Sequence, residues 1–401
     1  MIEDLIRRFS YFACSLSRVI QPISKRYIKV YSRVKDNIPR IEIGALEKLD
    51  LAPMFNPINA VSLVVLLFYL LSFRSMSPIS RAIFSLGYVS LISGMYLGGR
   101  YIERRKFSES SIFLDKNFFK GIGILLYSVG ALFCVLVTIS QGVPILGKIF
   151  GLPPELVIPA FLVVPGAIFL SYSARKEYFY ALFILGFVFL FGIGYRTPVV
   201  ALIIGGLVLG YKRVFSTTVA ILSSLALISY VVLYGWFKAV MVGWRGFSPL
   251  SLALERMKFT SHVFDYIVSI SYPWGLTRGD LLLSIFPGPG IGPRTMISNV
   301  FGGRPEATIT STIFGPPMLD FGVLGVVVFS FLIGFSLSIS LKCKPLYALL
   351  LGYLLPGIET GIVDFLIITY FLLPLLIAFS LEKTSYSLPR NNNHVSFNRN
   401  S

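Results

Sequence analysis

Long apolar runs separated by short polar connections fill most of the chain after residue 56. A membrane-crossing helix needs about 20 mostly apolar residues to traverse a hydrocarbon core of about 30 Å. This length rule predicts about ten transmembrane helices. The predicted spans are 57–73, 79–98, 118–140, 156–173, 178–195, 198–211, 214–238, 313–341, 345–357 and 361–381.

Composition agrees with an all-α polytopic membrane protein. Hydrophobic residues make up 55% of the chain and charged residues 14%, and the mean hydropathy is +0.76. These values lie far outside the range of soluble domains. We divide the chain into a cytoplasmic basic amphipathic N-terminal segment (1–56), the first seven transmembrane helices (57–238), a large extracytoplasmic loop (239–312), the last three transmembrane helices (313–381) and a disordered cytoplasmic tail (382–401).

Basic residues mark every second connection between the predicted spans. They lie at Arg100 to Lys106 with Lys116, at Arg175-Lys176, at Lys212-Arg213, and at Lys342 with Lys344. The positive-inside rule makes these connections and both termini cytoplasmic. The net charge of +17 therefore mainly reports orientation in a plasma (inner) membrane, and we expect no nucleic-acid partner.

The N-terminal segment, residues 1–50, contains no continuous apolar run, so we expect no cleavable signal peptide. Apolar residues recur there at helical spacing from Leu5 to Ile23. This pattern fits either an interfacial amphipathic helix or a basic tail that follows the topology.

Arg196 is an ionisable residue at membrane depth, in the sequence Gly-Ile-Gly-Tyr-Arg-Thr-Pro between the apolar runs 178–193 and 199–211. Such a residue is a functional-site hypothesis by default, because its charge is unfavourable in hydrocarbon. Basic pairs flank the outer ends of both runs, so we expect a hairpin with its tip facing outward. Arg196 would then lie on the extracytoplasmic side.

The long outer connection, residues 239–310, stays net positive on the face where topology requires no positive charge. Arginine suits a diphosphate because its planar guanidinium donates paired hydrogen bonds and stays charged. We predict a cationic pocket for a lipid-linked diphosphate, formed by Arg196 and arginines of this loop. The positive loop residues are Arg245, Arg256, Lys258, Arg278, Arg294 and Arg304, and the candidates for substrate are Arg245, Arg278, Arg294 and Arg304. Alternatively, several of them are solvated or bind lipid headgroups, and we expect half or fewer to touch substrate.

Acidic pairs that could hold a metal ion are absent from the outer connections, which contain no D-x-D or E-x-D, and the chain has only two histidines. We therefore expect neither a catalytic metal nor another cofactor. Arginines would stabilise the charge of the leaving group instead.

His262 is the candidate general base, because histidine exchanges a proton near neutral pH. The alternative is that His262 packs on a loop helix beside Asp265. Asp265, Asp280 and Glu306 are competing bases.

Glu359 and Asp364 lie near the outward end of the last predicted hairpin, where a buried acid needs a partner. We expect them to hold an arginine in an ion pair rather than to act in catalysis. If either pairs tightly with Arg196, we expect Arg196 to be structural and Arg294 to bind the diphosphate.

Four features together resemble the Wzy-type polymerases of oligosaccharide repeat units, which share a membrane fold with the O-antigen ligases. They are the Gly-Tyr-Arg-Thr tip at 194–197, the long outer loop, Gly-Pro-Arg at 292–294, and Gly-Pro-Pro-Met-Leu-Asp-Phe-Gly-Val-Leu-Gly at 315–325. The resemblance covers roughly residues 118–381. By position Arg196 and Arg294 match the family's diphosphate-binding arginines, and Arg304-Pro305 is a near match to its Lys-Pro pair.

The resemblance implies a GT-C-like fold and a metal-independent glycosyl transfer on the outer face of the membrane. The donor and the acceptor would both be polyprenyl-diphosphate-linked oligosaccharides, with membrane lipids around them. A chain-length regulator or other glycan-assembly proteins would be partners. Transfer in a single displacement would invert the anomeric centre.

Two other functions remain open. A ligase would move a finished glycan once to a lipid or protein acceptor, whereas a polymerase yields a ladder of products. A flippase or transporter of lipid-linked sugars should carry its polar groups at the membrane midplane and show inverted repeats, but the candidate residues gather on the outer side.

Overall fold

A computed structural model describes residues 51–104, 116–144, 154–241, 248–286, 292–302 and 309–387. Arg245, Arg304, Glu306, residues 1–50 and the residues after Ser387 lie outside these ranges. The described residues are almost entirely helical and form no β-strand.

Fourteen α-helices make up the described part of the chain. They are α1 (Pro57–Ser72), α2 (Pro78–Arg104), α3 (Lys116–Gln141), α4 (Pro154–Ala160), α5 (Val163–Ser173), α6 (Lys176–Ile193), α7 (Arg196–Gly210), α8 (Thr217–Met241), α9 (Pro249–Ser271), α10 (Asp280–Leu283), α11 (Pro293–Val300), α12 (Gly315–Ile339), α13 (Lys344–Thr360) and α14 (Phe365–Ser387).

The all-helical class is confirmed. Among the described residues, six helical stretches are long and apolar enough to cross a membrane: Pro57–Ser75, Pro78–Arg104, Lys116–Gln141, Lys176–Ile193, Thr217–Phe237 and Gly315–Lys342. Three shorter apolar stretches are Val157–Ser173, Arg196–Gly210 and Phe365–Leu376. The count of ten spans stays a prediction.

Two predicted segments differ in detail. The predicted span 156–173 is two helices, because a turn at Phe161 and Leu162 separates α4 from α5. At the other end of the chain α14 continues to Ser387, so the first part of the predicted tail is helical.

Several helices begin where proline and a capping side chain meet. In α1, Pro57 follows Asn56, whose side chain accepts a hydrogen bond from the Ile58 amide (3.0 Å). In α9, Pro249 follows Ser248, whose hydroxyl accepts from the Ser251 amide (3.1 Å). Proline suits the first helical position because an amide hydrogen at that position would have no partner within the helix.

The α2–α12 pair has the most extensive contact in the bundle. Glycines allow it: a Cβ at Gly94 would collide with the carbonyl oxygen of Phe331, and one at Gly334 with that of Leu91. Ser338 adds a hydrogen bond from its hydroxyl to the α2 backbone (2.6 Å). Small residues and interhelical hydrogen bonds of this kind hold membrane helices together.

The predicted outer loop is largely helical, since it contains α9, α10 and α11. One face of α9 is buried in the bundle, where the Phe264 ring packs edge-on against Phe84 (6.1 Å between centroids). Asp265 Oδ1 accepts a hydrogen bond from the Ser77 amide (2.7 Å) at the start of α2. The loop is therefore fixed to the membrane helices.

Candidate functional site

Arg196 is the first residue of α7, at the tip of the hairpin formed by α6 and α7. The chain reverses there because Gly194 adopts a left-handed conformation (φ +81°) that side chains disfavour. The Tyr234 hydroxyl of α8 donates a hydrogen bond to the Gly194 carbonyl and fixes the tip. A positive charge at a helix N-terminus is opposed by the helix dipole, so Arg196 requires an anionic partner.

Glu359, in the last turn of α13, is that partner. Nη2 of Arg196 lies 3.0 Å from Oε1 and 2.9 Å from Oε2 of Glu359. Nε of Arg256, from α9, lies 2.8 Å from Oε1. Arg196 and Glu359 are 13% and 16% exposed, whereas Arg256 is 47% exposed. Glu359 thus joins two arginines from separate helices, one buried and one facing outward.

Arg294 forms a second ion pair. It lies in the first turn of α11, and its Nη2 is 2.7 Å from Oδ2 of Asp364, in the connection between α13 and α14. Both side chains are partly exposed. Nε of Arg294 is buried and has no hydrogen-bond partner within the described residues. Arg294 therefore keeps one covered donor without a partner, while the exposed part of its guanidinium faces outward.

The two ion pairs adjoin through tyrosines. Tyr195 lies within electrostatic range of Arg294 and Asp364, and Tyr234 within range of Arg196 and Arg256. Tyr195 and Tyr234 also interact with each other.

We call this arrangement the arginine cluster: Arg196, Arg256 and Arg294 with Glu359 and Asp364. Three guanidinium groups against two carboxylates leave one net positive charge. This excess, together with the exposed part of the Arg294 guanidinium, suits the cluster to a multiply charged anion.

His262 lies on α9, six residues after Arg256, but it faces another direction. Its exposed ring packs edge-on against Phe301 (6.2 Å between centroids). Asp265 is hydrogen-bonded to the start of α2. Partial burial raises the pKa of Asp265, but hydrogen bonds from Ser77 and Ser80 outweigh this effect and hold the pKa below its ordinary value. No hydrogen bond or ion pair joins His262 to the arginine cluster within the described residues.

Arg278 is exposed and adopts a left-handed backbone conformation (φ +51°). It forms no ion pair within the described part of the chain. Asp280 is exposed as well. The structure thus unites Arg196, Arg294, Glu359 and Asp364, and does not bring His262 or Arg278 into contact with them.

Sequence reasoning missed two residues. It named Arg256 among the charges of the outer loop but gave it no role of its own, because its position on a helix facing Glu359 depends on long-range packing. It also assigned none to Asp320, although a carboxylate inside an apolar run signals a buried partner.

Asp320 is buried in α12 and accepts four hydrogen bonds from the segment before and within α10. The Thr277 hydroxyl (2.5 Å) and the Gly279 and Leu281 amides (3.2 and 3.1 Å) donate to Oδ1, and the Leu282 amide (2.8 Å) donates to Oδ2. Asp320 therefore fixes residues 277–282 against α12.

A break in α12 makes room for this contact. Gly322 has φ +62°, and a side chain there would collide with the carbonyl oxygen of Pro273. The loop backbone also pairs with α12, since the Leu276 amide donates to the Leu319 carbonyl (2.7 Å).

An apolar groove of about 340 Å³ lies beside this contact, between α10 and α12. Its lining is almost wholly apolar and includes Leu281, Leu282, Leu324, Val328, Phe329 and Ile362. Ile362 belongs to the same short connection as Asp364, so one end of the groove lies next to the arginine cluster. Nearby, the Phe286 and Phe365 rings pack together (5.6 Å).

Among the described residues no three His, Cys, Asp or Glu side chains come together. The ionic chemistry of the site is carried by guanidinium and carboxylate groups.

Comparison with known proteins places this site within a family. Residues 53–371, which include both ion pairs, match the family model described as "Putative O-antigen polymerase". No solved structure gives a significant match.

Two relatives are uncharacterized proteins of Methanocaldococcus jannaschii. MJ0419 is 28% identical over 199 residues, which are 46% of this chain and 54% of the relative. MJ0420 is 27% identical over 266 residues, which are 64% of this chain and 62% of the relative. The match thus spans between half and two thirds of the length of these relatives.

The family model covers well over half of the chain. The chain belongs to the O-antigen polymerase family.

Proposed function

We propose that this protein polymerises polyprenyl-diphosphate-linked oligosaccharide repeat units on the outer face of the membrane, without a metal ion. The observation that carries the proposal is the arginine cluster. Three arginines from separate elements meet at one end of a membrane bundle, beside an apolar groove. A lipid-linked diphosphate has a matching shape, with a charged head and an apolar chain.

The cluster would bind the diphosphate as the leaving group. Glu359 and Asp364 hold the guanidinium groups in place before substrate arrives, so little reorganisation is needed when charge develops in the transition state. Arg196 is the least exposed of the three arginines, and Arg256 and Arg294 are the more accessible donors. Because Arg196 pairs with Glu359, Arg196 is partly structural, and the more exposed Arg294 would contact the diphosphate.

The apolar groove would hold the first part of the polyprenyl chain. Its lining includes exposed residues of α12 such as Leu324 and Val328, and it also includes Ile362, two residues before Asp364. Apolar surface in such a groove is stabilised by an apolar ligand.

A hydroxyl of the acceptor would attack the anomeric carbon as the bond to the diphosphate oxygen breaks, which inverts the centre. We keep His262 as the proposed base because it is exposed on the helix that also supplies Arg256. His262 lies six residues after Arg256, which is about 9 Å along the helix. The bound sugar must therefore extend along α9 for the acceptor hydroxyl to come within reach of His262. Asp265 is the weaker candidate because its carboxylate caps α2.

The test is incubation of the purified protein with a lipid-diphosphate-linked oligosaccharide, with chelator present and no added metal, followed by sizing of the products. A ladder of repeat units is the expected result. A single addition to a different acceptor would indicate a ligase, and an unchanged oligosaccharide that crosses liposome membranes would indicate a transporter. Arg196→Ala should abolish elongation in a well-folded protein, and normal polymer lengths from it would refute the proposal.

A further inference from the structure

A second cavity lies at the opposite end of α2 from the arginine cluster. It has a volume of about 420 Å³ and is lined by Leu97, Arg100, Tyr101, Arg104 and Phe335. The N-terminal end of α2 is tied to α9 by the Asp265 hydrogen bond. Because α2 has 27 residues, its two ends are about 40 Å apart.

The two arginines of this cavity concentrate positive charge. Arg100 and Arg104 are four residues apart, so they lie on the same face of α2. The Arg100 guanidinium stacks over the Tyr96 ring (4.8 Å). Within the described part of the chain neither arginine forms an ion pair with a carboxylate. An anion in the cavity would therefore face two guanidinium groups that no carboxylate of the described residues pairs with.

The rest of the cavity is lined by the apolar and aromatic side chains of Leu97, Tyr101 and Phe335. The Tyr101 and Phe335 rings pack together (5.8 Å between centroids). The helices α2 and α12 approach closely here, because a Cβ added to Gly98 of α2 would lie only 2.7 Å from the carbonyl oxygen of Phe335 on α12. From Leu97 to Arg104 the helix rises about 10 Å. The headgroup zone of one leaflet is only about 5–7 Å thick, so we expect the cavity to span the boundary between the hydrocarbon and the headgroups.

We propose that this cavity binds an anionic membrane lipid of the cytoplasmic leaflet. Arg100 and Arg104 hold the phosphate of the headgroup, and an acyl chain lies along Leu97 and Phe335. The site is independent of the proposed glycosyl transfer. A soluble phosphate would use the arginines alone and would leave the apolar part of the cavity unfilled.

The test is native mass spectrometry of the full chain, titrated with phosphatidylglycerol or with phosphatidylcholine. Replacing both arginines (R100Q with R104Q) should weaken phosphatidylglycerol binding about fivefold for each arginine, with little change for phosphatidylcholine. The matched control is R175Q with K176Q, which removes two charges from an exposed pair at the same predicted membrane face but outside the cavity. This control should keep the tight phosphatidylglycerol site.

Three outcomes would overturn the proposal. They are equal losses in the two double variants, an equal loss for both lipids, and displacement of the lipid by low millimolar inorganic phosphate. A second variant, L97E, leaves both arginines intact and adds a negative charge at the cavity. It should also lose phosphatidylglycerol, and unchanged binding by L97E would contradict the proposal even if the glutamine variant failed to fold.

Discussion

Arg196 and Arg256 share one carboxylate oxygen. Nη2 of Arg196 and Nε of Arg256 lie 3.0 and 2.8 Å from Oε1 of Glu359. The shared oxygen holds together two positive charges that would otherwise repel each other, and it ties the outer helix α9 to the hairpin tip. The two arginines should therefore act as one unit toward an anionic substrate.

Arg256→Gln should reduce the rate of elongation by about 10- to 100-fold, because it removes one donor from the proposed diphosphate site. Lys258→Gln is the matched control. Lys258 lies on the same helix, is similarly exposed (51%) and, among the residues that the structure describes, pairs only with Glu255, so its loss should change the rate less than twofold. Initial rates at saturating and limiting donor measure the effect, and equal effects of the two variants would contradict the role of Arg256.

Glu359→Gln should lower the stability of the folded protein, because it leaves two neighbouring guanidinium groups without their carboxylate. Breaking a buried ion pair by removing one partner costs about 3–5 kcal/mol, and the exposure of Arg256 puts our expectation at the lower end. Thermal unfolding in detergent measures the loss. Adding Arg256→Gln to Glu359→Gln should restore part of the stability, since it removes the repulsion; strictly additive losses would show that the two side chains are not coupled.

The hairpin tip could be predicted because its signals are local. Two apolar runs, glycine at 194 and basic flanking pairs specify two helices that meet at Arg196. The partner of Arg196 could not be predicted with the same certainty, since Glu359 lies 163 positions away and its choice depends on the packing of α7 against α13. The sequence raised Glu359 and Asp364 as candidates but did not indicate which arginine each would hold.

Asp320 is a second residue whose partners cannot be identified from the sequence. Its place in an apolar run shows that it needs partners, but three of its four partners are backbone amides, those of Gly279, Leu281 and Leu282. Backbone amides look alike in every sequence, so no residue type marks them. Only the break at Gly322, which brings the loop against α12, reveals the contact.

Asp320→Asn should loosen the segment 277–282, because an amide side chain replaces one acceptor oxygen with a donor that faces backbone N–H groups. An unsatisfied buried donor costs about 1–3 kcal/mol. Hydrogen exchange at the amides of Gly279, Leu281 and Leu282 should accelerate, while exchange in the α2–α12 pair stays slow. Unchanged exchange in the loop would show that Asp320 does not fix it.

His262→Gln should lower the rate of elongation by about 100-fold if His262 is the general base. The variant should also lose the acidic limb of the pH–rate profile, because glutamine does not titrate. Phe301→Leu is a second variant for comparison. It removes the ring that packs against His262 and leaves the imidazole, the proposed proton acceptor, in place. A profile that keeps its acidic limb in His262→Gln would assign the base to another group.

Val328→Trp should obstruct the apolar groove and so separate long lipid chains from short ones. Val328 lines the groove and is 47% exposed, which leaves room for the larger side chain without a clash in the core. For a donor with a full-length polyprenyl chain, KM should rise about tenfold, since a few buried methylene groups contribute about 0.8 kcal/mol each. For a donor with a chain of one or two isoprene units, KM should hardly change.

Leu63→Trp provides the control, because Leu63 is 53% exposed on α1 and does not line the groove. Equal effects on both donors, or equal effects of both variants, would show that the polyprenyl chain binds elsewhere. The polymerase activity itself is tested separately, by the ladder of products from the unaltered protein.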